Sequence, residues 1–352
     1  MRIAFPLMSL RHHGGVRVIV DFANHLSASG HEVHIFVPRN QFVPLYPISE
    51  EVRIHFLRNS NEEGIFSRLK TLYDLAQAMS KTDIDVVVAN FFPTAYTSYL
   101  MRARAKVVYL VQDVPLFYGR ISPMGFLLRL SMAFPYPKAA ISRYIAETLG
   151  APAEIISLGV SEAFYPDPDP GLLSEKQHPA ILYFPRKQIY KGMEYFIEAV
   201  RVLARRGLRF EVWLVTQEEE SLNPFENMEI PCLLMDGEND NKLRKLYSSA
   251  DVFVSSSIAE GFSLPPLEAM ACGTPVVMTE CGGAWDYMEP DVNAVVVPVK
   301  DPLALADGME RIIRNPDLSD RLRKAGLETA RRFTANQTAE RFQDFLVRAC
   351  SN

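Results

Sequence analysis

Two glutamates, Glu260 and Glu268, stand with seven residues between them in the segment SSSIAEGFSLPPLEAMACGTPVV. The segment reads as a buried strand over 251–254, a polar turn, a short helix opened by Pro265 and Pro266 and stopped by Gly273, and a second strand over 275–278. A helix that starts directly after a glycine-containing loop presents free backbone N–H groups and the positive end of its dipole to an anion. Proline in its first turn is harmless, because the missing N–H would have no partner there. Glu260 then lies on the loop and Glu268 about one turn into the helix. Carboxylates in contact with a phosphate would repel it. Set beside a phosphate site, they accept hydrogen bonds from hydroxyls farther along the ligand. A phosphate joined to hydroxyl-rich groups describes a nucleotide sugar.

A glutamate on a turn and another on a helix are each common, so the surrounding string carries the reading. EGFSLPPLEAMACGTPVV closely resembles the donor-site signature of glycosyltransferase family 4, whose members are retaining enzymes with the GT-B fold. The resemblance covers most of the chain, strongest from 180 to the C terminus and looser over 41–80. It implies that Glu268 holds the nucleotide ribose. Glu260, with the backbone of Gly261, Phe262 and Ser263, would hold the donor sugar. Arg186 and Lys191, in YFPRKQIYKGMEYF, match the family's Arg and Lys that clamp the donor diphosphate. Fixed cations suit that place, since the departing nucleoside diphosphate gains negative charge as the glycosidic bond breaks. A solvated basic turn is the plain alternative. Gly14 and Gly15 follow the first strand, where bare backbone can approach the donor phosphates. His12 and His13 beside them read as exposed loop residues.

The clearest departure from the family comes in KVVYLVQDVP, where Gln112 precedes Asp113 and many relatives carry a histidine. By position the pair joins Glu260 as the catalytic group. Glutamine donates and accepts hydrogen bonds but does not take up a proton near neutrality, so roles resting on a charged histidine are absent. The resemblance therefore implies transfer of a sugar from a nucleotide donor, UDP first and GDP next, to a hydroxyl of a glycan, lipid-linked or small-molecule acceptor. The anomeric configuration is retained and no metal is needed. The donor is a substrate and no cofactor is expected. A catalytically degenerate nucleotide- or sugar-binding protein of the same fold is the alternative, and a synthase or phosphorylase on this scaffold is a third.

Composition narrows the field. At 352 residues, with 48% hydrophobic and 22% charged residues, two ordinary globular domains are expected. A net charge of −5 gives no overall field to gather a nucleic acid. The first loop, SLRHHGGV, lacks the G-x-G-x-x-G of a dinucleotide-binding dehydrogenase. Two Asp-x-Asp pairs, Asp83 with Asp85 and Asp167 with Asp169, are better explained by turns and caps than by a metal. Cys232, Cys272, Cys281 and Cys350 lack metal-ligand spacing and read as reduced, mostly buried thiols. With no signal-like or membrane-spanning run, a cytoplasmic protein is expected, with peripheral contact at the inner membrane face left open. Oligomeric state is not legible.

The elements that must position these residues alternate in the manner of a parallel sheet with covering helices. Strands are expected over 3–8, 32–38, 85–90, 106–111, 139–142 and 154–158. Helices are expected over 16–28, with Val16, Ile19, Val20, Ala23 and Leu26 on one face, and over 65–80. A helix begins at Ser142-Arg143, where Ser142 either caps it or lines a cleft. The apolar run 124–135 suits a buried helix, and a surface for a lipid-linked acceptor is its alternative. The acid- and proline-rich 163–179 reads as a linker. A second series follows, with strands over 180–184 and 209–215 and helices over 191–206 and 241–249, and the chain is helical from 301 to 350. The expected organisation is an acceptor-binding Rossmann-like domain over 1–162, the linker, and a donor-binding domain over 180–332. By resemblance, the two domains face across a cleft, and the C-terminal helix, 333–352, crosses back to the first.

Overall fold

A computed structural model of the protein describes residues 1–11, 14–43, 46–59, 65–113, 117, 122–226 and 228–351. The chain divides into two compact units: Met1–Leu158 with Ala335–Asn352, and Gly159–Thr334.

Among the described residues, the first unit carries seven parallel strands: β1 (Arg2–Pro6), β2 (Glu32–Pro38), β3 (Arg53–Leu57), β4 (Val86–Ala89), β5 (Lys106–Val111), β6 (Lys138–Ala140) and β7 (Glu154–Ile155). Their spatial order is β3-β2-β1-β4-β5-β6-β7, so the direction of winding reverses between β1 and β4. Central strands such as VVVA of β4 are buried throughout, as a sheet covered on both faces demands. Helix α1 (Gly14–Ala28) buries Ile19, Val20, Ala23 and Leu26 of its expected stripe, while Val16 is half-buried. Helix α2 (Ile65–Ser80) follows β3, and α3 (Phe92–Tyr99) follows β4. Helix α4 (Pro123–Met132) takes the apolar run: Leu128 and Met132 are buried, whereas Phe126, Leu127 and Leu130 are exposed. Helix α5 (Arg143–Leu149) is capped by Ser142, whose hydroxyl accepts from Ile145 N at 3.1 Å.

The second unit repeats the plan with β8 (Ala180–Tyr183), β9 (Glu211–Leu214), β10 (Cys232–Leu234), β11 (Val252–Ser255), β12 (Val276–Thr279) and β13 (Val295–Val297), all parallel, in the order β10-β9-β8-β11-β12-β13. The stretch read as a linker, 163–179, is folded into this unit. It contains α6 (Pro170–Glu175), capped by the Asp169 carboxylate, which accepts from Gly171 N at 2.9 Å. Helices α7 (Met193–Arg205), α8 (Asp240–Ser249), α9 (Leu264–Ala271), α10 (Pro302–Arg314) and α11 (Pro316–Arg332) complete it. The acids of 163–179 meet bases of α8: Arg244 donates to Asp167 at 3.0 Å and Lys245 to Asp169 at 3.1 Å. Asp83 and Asp85, the other Asp-x-Asp pair, both pair with Arg2.

The last helix, α12 (Ala335–Ser351), belongs to the first unit. Phe342 is fully buried and stacks on Phe22 of α1 with ring centroids 4.3 Å apart, and Thr338 Oγ1 donates to Ser157 O at 3.0 Å. Phe342→Ala should therefore lower the stability of the first unit by about 3–5 kcal/mol, measured by urea unfolding. A loss within experimental error would mean that α12 is not part of that core.

Asp85 fastens β4 to β1. Its carboxylate accepts from Arg2 Nη2 at 2.6 Å and from Arg2 N at 2.8 Å, and these bonds hold its pKa down to about 2 from an ordinary 3.8. Because the folded-state pKa is depressed, this stabilisation is complete above the ordinary value and is lost as pH falls from 3.8 towards 2. Asp85→Asn should flatten that part of the stability curve while leaving its shape above pH ~5 unchanged. Circular dichroism across an acid titration would read it.

Candidate functional site

In the second sheet the winding reverses between β8 and β11, and loops leaving the carboxyl ends of parallel strands at such a point form a crevice suited to ligands. Arg186 and Lys191 follow β8, and Glu260 lies between β11 and α9. The two loops are fastened to each other. Ile258 N donates to Tyr190 O at 2.7 Å, Ser256 Oγ donates to Lys191 O at 3.1 Å, and Tyr183 Oη and Ser256 Oγ share a hydrogen bond of 3.0 Å. Gly192 adopts φ +65°, and a Cβ on it would lie 2.1 Å from Ser256 O. A side chain there would meet both a steric and a conformational penalty.

This closeness brings Lys191 Nζ to 2.8 and 3.0 Å from the two carboxylate oxygens of Glu260. Ser257 Oγ donates to the same Oε1 at 2.6 Å. Burial works against the Lys191 ammonium, but the charge of Glu260 and its hydrogen bond outweigh this, and the Lys191 pKa is raised. Arg186 donates to Thr216 Oγ1, beyond β9, at 3.2 Å, and its charge opposes that of Lys191. Glu260 is held from its other side by the loop after β12: its N–H donates to Cys281 O at 3.2 Å. A Cβ on Gly283 would lie 2.6 Å from Glu260 O. Cys281, buried beside this loop, has its thiol pushed up to about 12 by burial and the nearby Glu260 charge.

Gly261 is buried, and Phe262 packs its ring against Tyr287, so the side chain of Phe262 is core. Ser263 has φ 70° and ψ 69°, left-handed for a residue with a side chain, directly before α9. Its carbonyl is pinned by the Tyr287 hydroxyl at 2.6 Å, and its own Oγ is buried without a partner among the described residues. Tyr287 is buried, and its carbonyl in turn accepts from Asn293 Nδ2 at 2.7 Å. Glu268, also buried, accepts from Tyr247 Oη at 3.0 Å. Arg186, Lys191, Glu260, Gly261, Phe262, Ser263 and Glu268 are thus all carried by the loops and helix around one reversal of a single sheet.

Gly14, Gly15, Gln112 and Asp113 belong to the first unit, at its own reversal. Gly14 opens α1, and a Cβ on Gly15 would lie 3.2 Å from Gln112 Oε1. Gln112 Nε2 reaches Asn90 O, at the end of β4, at 3.4 Å, and Asn90 Nδ2 donates to Pro6 O, at the end of β1, at 3.0 Å. Gln112 Oε1 is buried without a partner among the described residues. Asp113 directly follows Gln112 and is half-buried. His12 and His13 lie outside the described residues. Among the described residues no group of three or more His, Cys, Asp or Glu side chains is placed to hold a metal ion. No described helix is long and apolar enough to cross a membrane.

Ser257, Thr216, Asn90, Tyr287 and Gly283 were not singled out from the sequence. Gly282-Gly283, a glycine pair shortly after β12, was the signal available for the last of these.

Comparisons with known proteins bear on both units. Residues 12–164 match the family described as Glycosyltransferase Family 4, and residues 169–329 match Glycosyl transferases group 1. A D-inositol 3-phosphate glycosyltransferase of Xylanimonas cellulosilytica is 33% identical over 182 residues, covering 49% of this chain and 42% of that protein. The chain likewise spans 35% of an uncharacterized glycosyltransferase of Methanocaldococcus jannaschii. In structure, the chain resembles sucrose-phosphate synthase from Thermosynechococcus elongatus, with TM-score 0.83, 18% identity and coverage of 99% and 98% of the two chains. Anabaena HepE in complex with UDP-glucose gives TM-score 0.76 at 18% identity, with 99% of each chain covered. The fold is that of the GT-B glycosyltransferases.

The strained Ser263 yields a direct test. Tyr287→Phe keeps the ring but removes one hydrogen bond to a buried carbonyl, which should cost about 0.5–1.5 kcal/mol. Urea unfolding of the second unit would measure it, and an unchanged midpoint would show that the Tyr287 hydroxyl does not hold the Ser263 conformation.

Proposed function

The chain belongs to glycosyltransferase family 4, and from that premise we propose that it transfers a sugar from a nucleoside-diphosphate sugar to an acceptor hydroxyl with retention of configuration. The observation that carries this reading is the pairing of cation and carboxylate, Lys191 with Glu260, beside Arg186 and just before a helix that bears Glu268. Phosphate chemistry and hydroxyl chemistry thereby stand next to each other. Arg186 and Lys191 take the diphosphate, whose charge rises as the bond to the sugar breaks. Glu268 accepts from the ribose hydroxyls. Glu260 accepts from the sugar hydroxyls, with Gly261, Phe262 and Ser263 supplying backbone groups and Ser263 Oγ a further hydroxyl.

In the first unit, Gly14 and Gly15 offer bare backbone that a ligand phosphate can approach. Gln112 Oε1, an acceptor without a partner among the described residues, suits a sugar hydroxyl. Asp113 stands next to it. In the transfer itself, the bond from the anomeric carbon to the diphosphate oxygen breaks and a bond to the acceptor oxygen forms on the same face. The acceptor proton passes to the departing phosphate oxygen. Fixed cations at Arg186 and Lys191 take the place a divalent metal would have in balancing the leaving group, so the reaction is read as independent of metal. UDP is the first candidate nucleotide and GDP the next. The acceptor is a hydroxyl of a glycan, a lipid-linked or a small molecule. The complex of HepE with UDP-glucose supports a UDP-sugar by similarity of fold.

Calorimetry with UDP, GDP, ADP, dTDP and NAD, each with and without EDTA, tests the reading. One nucleoside diphosphate should bind selectively and equally well in EDTA. Glu268→Ala should weaken that binding by about 1.5–3 kcal/mol, the scale of a hydrogen bond to a charged group. Binding of NAD alone, or binding abolished by EDTA, would overturn the assignment of the diphosphate site.

A further inference from the structure

Both oxygens of Glu260 are engaged in this structure. Lys191 Nζ contacts them at 2.8 and 3.0 Å, and Ser257 Oγ donates to Oε1 at 2.6 Å. A carboxylate so held has little acceptor capacity left for sugar hydroxyls, and a lysine so paired has its charge offset before a diphosphate arrives. The pair is also built in. The Lys191 backbone is locked to Ser256 by the Gly192 contact, and the Glu260 backbone is locked to the loop after β12 by Cys281 O and Gly283. The side chain of Glu260 is 14% exposed and that of Lys191 30%, so the lysine side chain is the more open of the two, and its charge is the one that attracts an anion.

We propose that Glu260 is the resident counter-ion of Lys191, and that the donor diphosphate displaces it, releasing its carboxylate to the sugar hydroxyls. This rests on the reading of Arg186 and Lys191 as the diphosphate clamp and adds an exchange to it. No covalent bond changes: one ion pair, lysine with carboxylate, is traded for another, lysine with phosphate. The short loop side chain keeps its place while the four-carbon lysine stem swings, since the Lys191 backbone is fixed and its stem is not.

The exchange sets a preference. A bare diphosphate must break the resident pair and gives Glu260 nothing in return. An intact sugar donor supplies hydroxyls for the released carboxylate, which offset the loss. The site therefore discriminates against inorganic diphosphate and against the spent nucleotide. After transfer, Glu260 loses its hydroxyl partners and competes again for Lys191, which favours release of the nucleoside diphosphate.

The test is calorimetric titration of the full chain with inorganic pyrophosphate, which has neither sugar nor ribose. Glu260→Gln keeps the size of the side chain and a partner for Ser257 but removes the charge. It should bind pyrophosphate about tenfold more tightly than the wild type, the scale of one charge-assisted contact. Glu268→Gln, which removes a carboxylate whose hydrogen-bond partner is Tyr247, controls for the general effect of one less negative charge and should change little. Adding Lys191→Met to Glu260→Gln should abolish the gain. Should Glu260→Gln fail to fold, Ser257→Ala leaves both charges but removes the hydroxyl that would still donate to the displaced carboxylate, and it should weaken pyrophosphate binding by a smaller factor. The proposal is overturned if Glu260→Gln binds no more tightly than the wild type, if Glu268→Gln tightens binding equally, or if the gain survives Lys191→Met. Pyrophosphate binding that Lys191→Met alone abolishes, with no gain from Glu260→Gln, would sink the exchange and leave the clamp standing. No binding to any variant would remove both.

Discussion

The approach of Gly192 to Ser256 is the contact on which the chemistry of the second unit depends. A Cβ at 192 would lie 2.1 Å from the Ser256 carbonyl oxygen, at a φ of +65° that side-chain-bearing residues rarely adopt. Only backbone without a side chain fits. That fit holds the loop after β8 against the loop after β11, and the hydrogen bond from Ile258 N to Tyr190 O at 2.7 Å keeps the two in register. Lysine loses considerable rotamer freedom when its ammonium is held in one place. With the backbones already fastened, only the side-chain part of that cost remains, and the Lys191 ammonium meets Glu260 at hydrogen-bonding distance. Gly283 does the same on the far side of Glu260, so the glutamate loop is gripped between two positions where a side chain cannot stand.

Each unit reverses its winding once, and each places polar side chains there, but the chemistry differs. In the first unit the strand ends are tied by neutral amides, Asn90 to Pro6 and Gln112 to Asn90, next to the bare backbone of Gly15. In the second they carry Lys191, Glu260 and Arg186. The same topology thus supplies amide hydrogen bonding in one unit and fixed charge in the other. Amide groups can match hydroxyls in either direction without charge, whereas a phosphate calls for cations. The reversal of the second unit therefore carries the fixed charge that an anion requires.

Much of this was legible in the sequence, where the governing signal is local. The 3.6-residue stripe of α1, the strand 106–111 and the Pro-Pro opening of α9 each depend on neighbours within a few positions. The short strands β10 and β13, three residues each, and the edge strand β3, with exposed positions at Arg53 and Phe56, lack such a signal. The segment 163–179 was legible as acidic and rich in proline but not as folded, because the bases that neutralise it, Arg244 and Lys245, lie some 76–77 positions away. Distance along the chain hid the site's own pairings too. Lys191 and Glu260 were assigned to the phosphate and the sugar separately, and nothing in either local string shows that they meet across 69 positions. The strain at Ser263 was equally hidden, since serine gives no warning of positive φ and its stabilising partner, Tyr287, comes 24 residues later.

The placement of Glu260 answers two demands at once. Burial disfavours the charged form of Lys191, and Arg186 adds to that pressure, so without a counter-charge the lysine would move towards its neutral form. Glu260 reverses the balance, and the Lys191 pKa is raised rather than lowered. The site is therefore electrostatically prepared in advance, which is what makes fixed charge effective in stabilising charge that develops during a reaction. In the proposed function the same carboxylate, on a loop held by its neighbours' backbones, serves the sugar hydroxyls, so one group offsets the burial of the cation in the empty site and meets the donor in the full one.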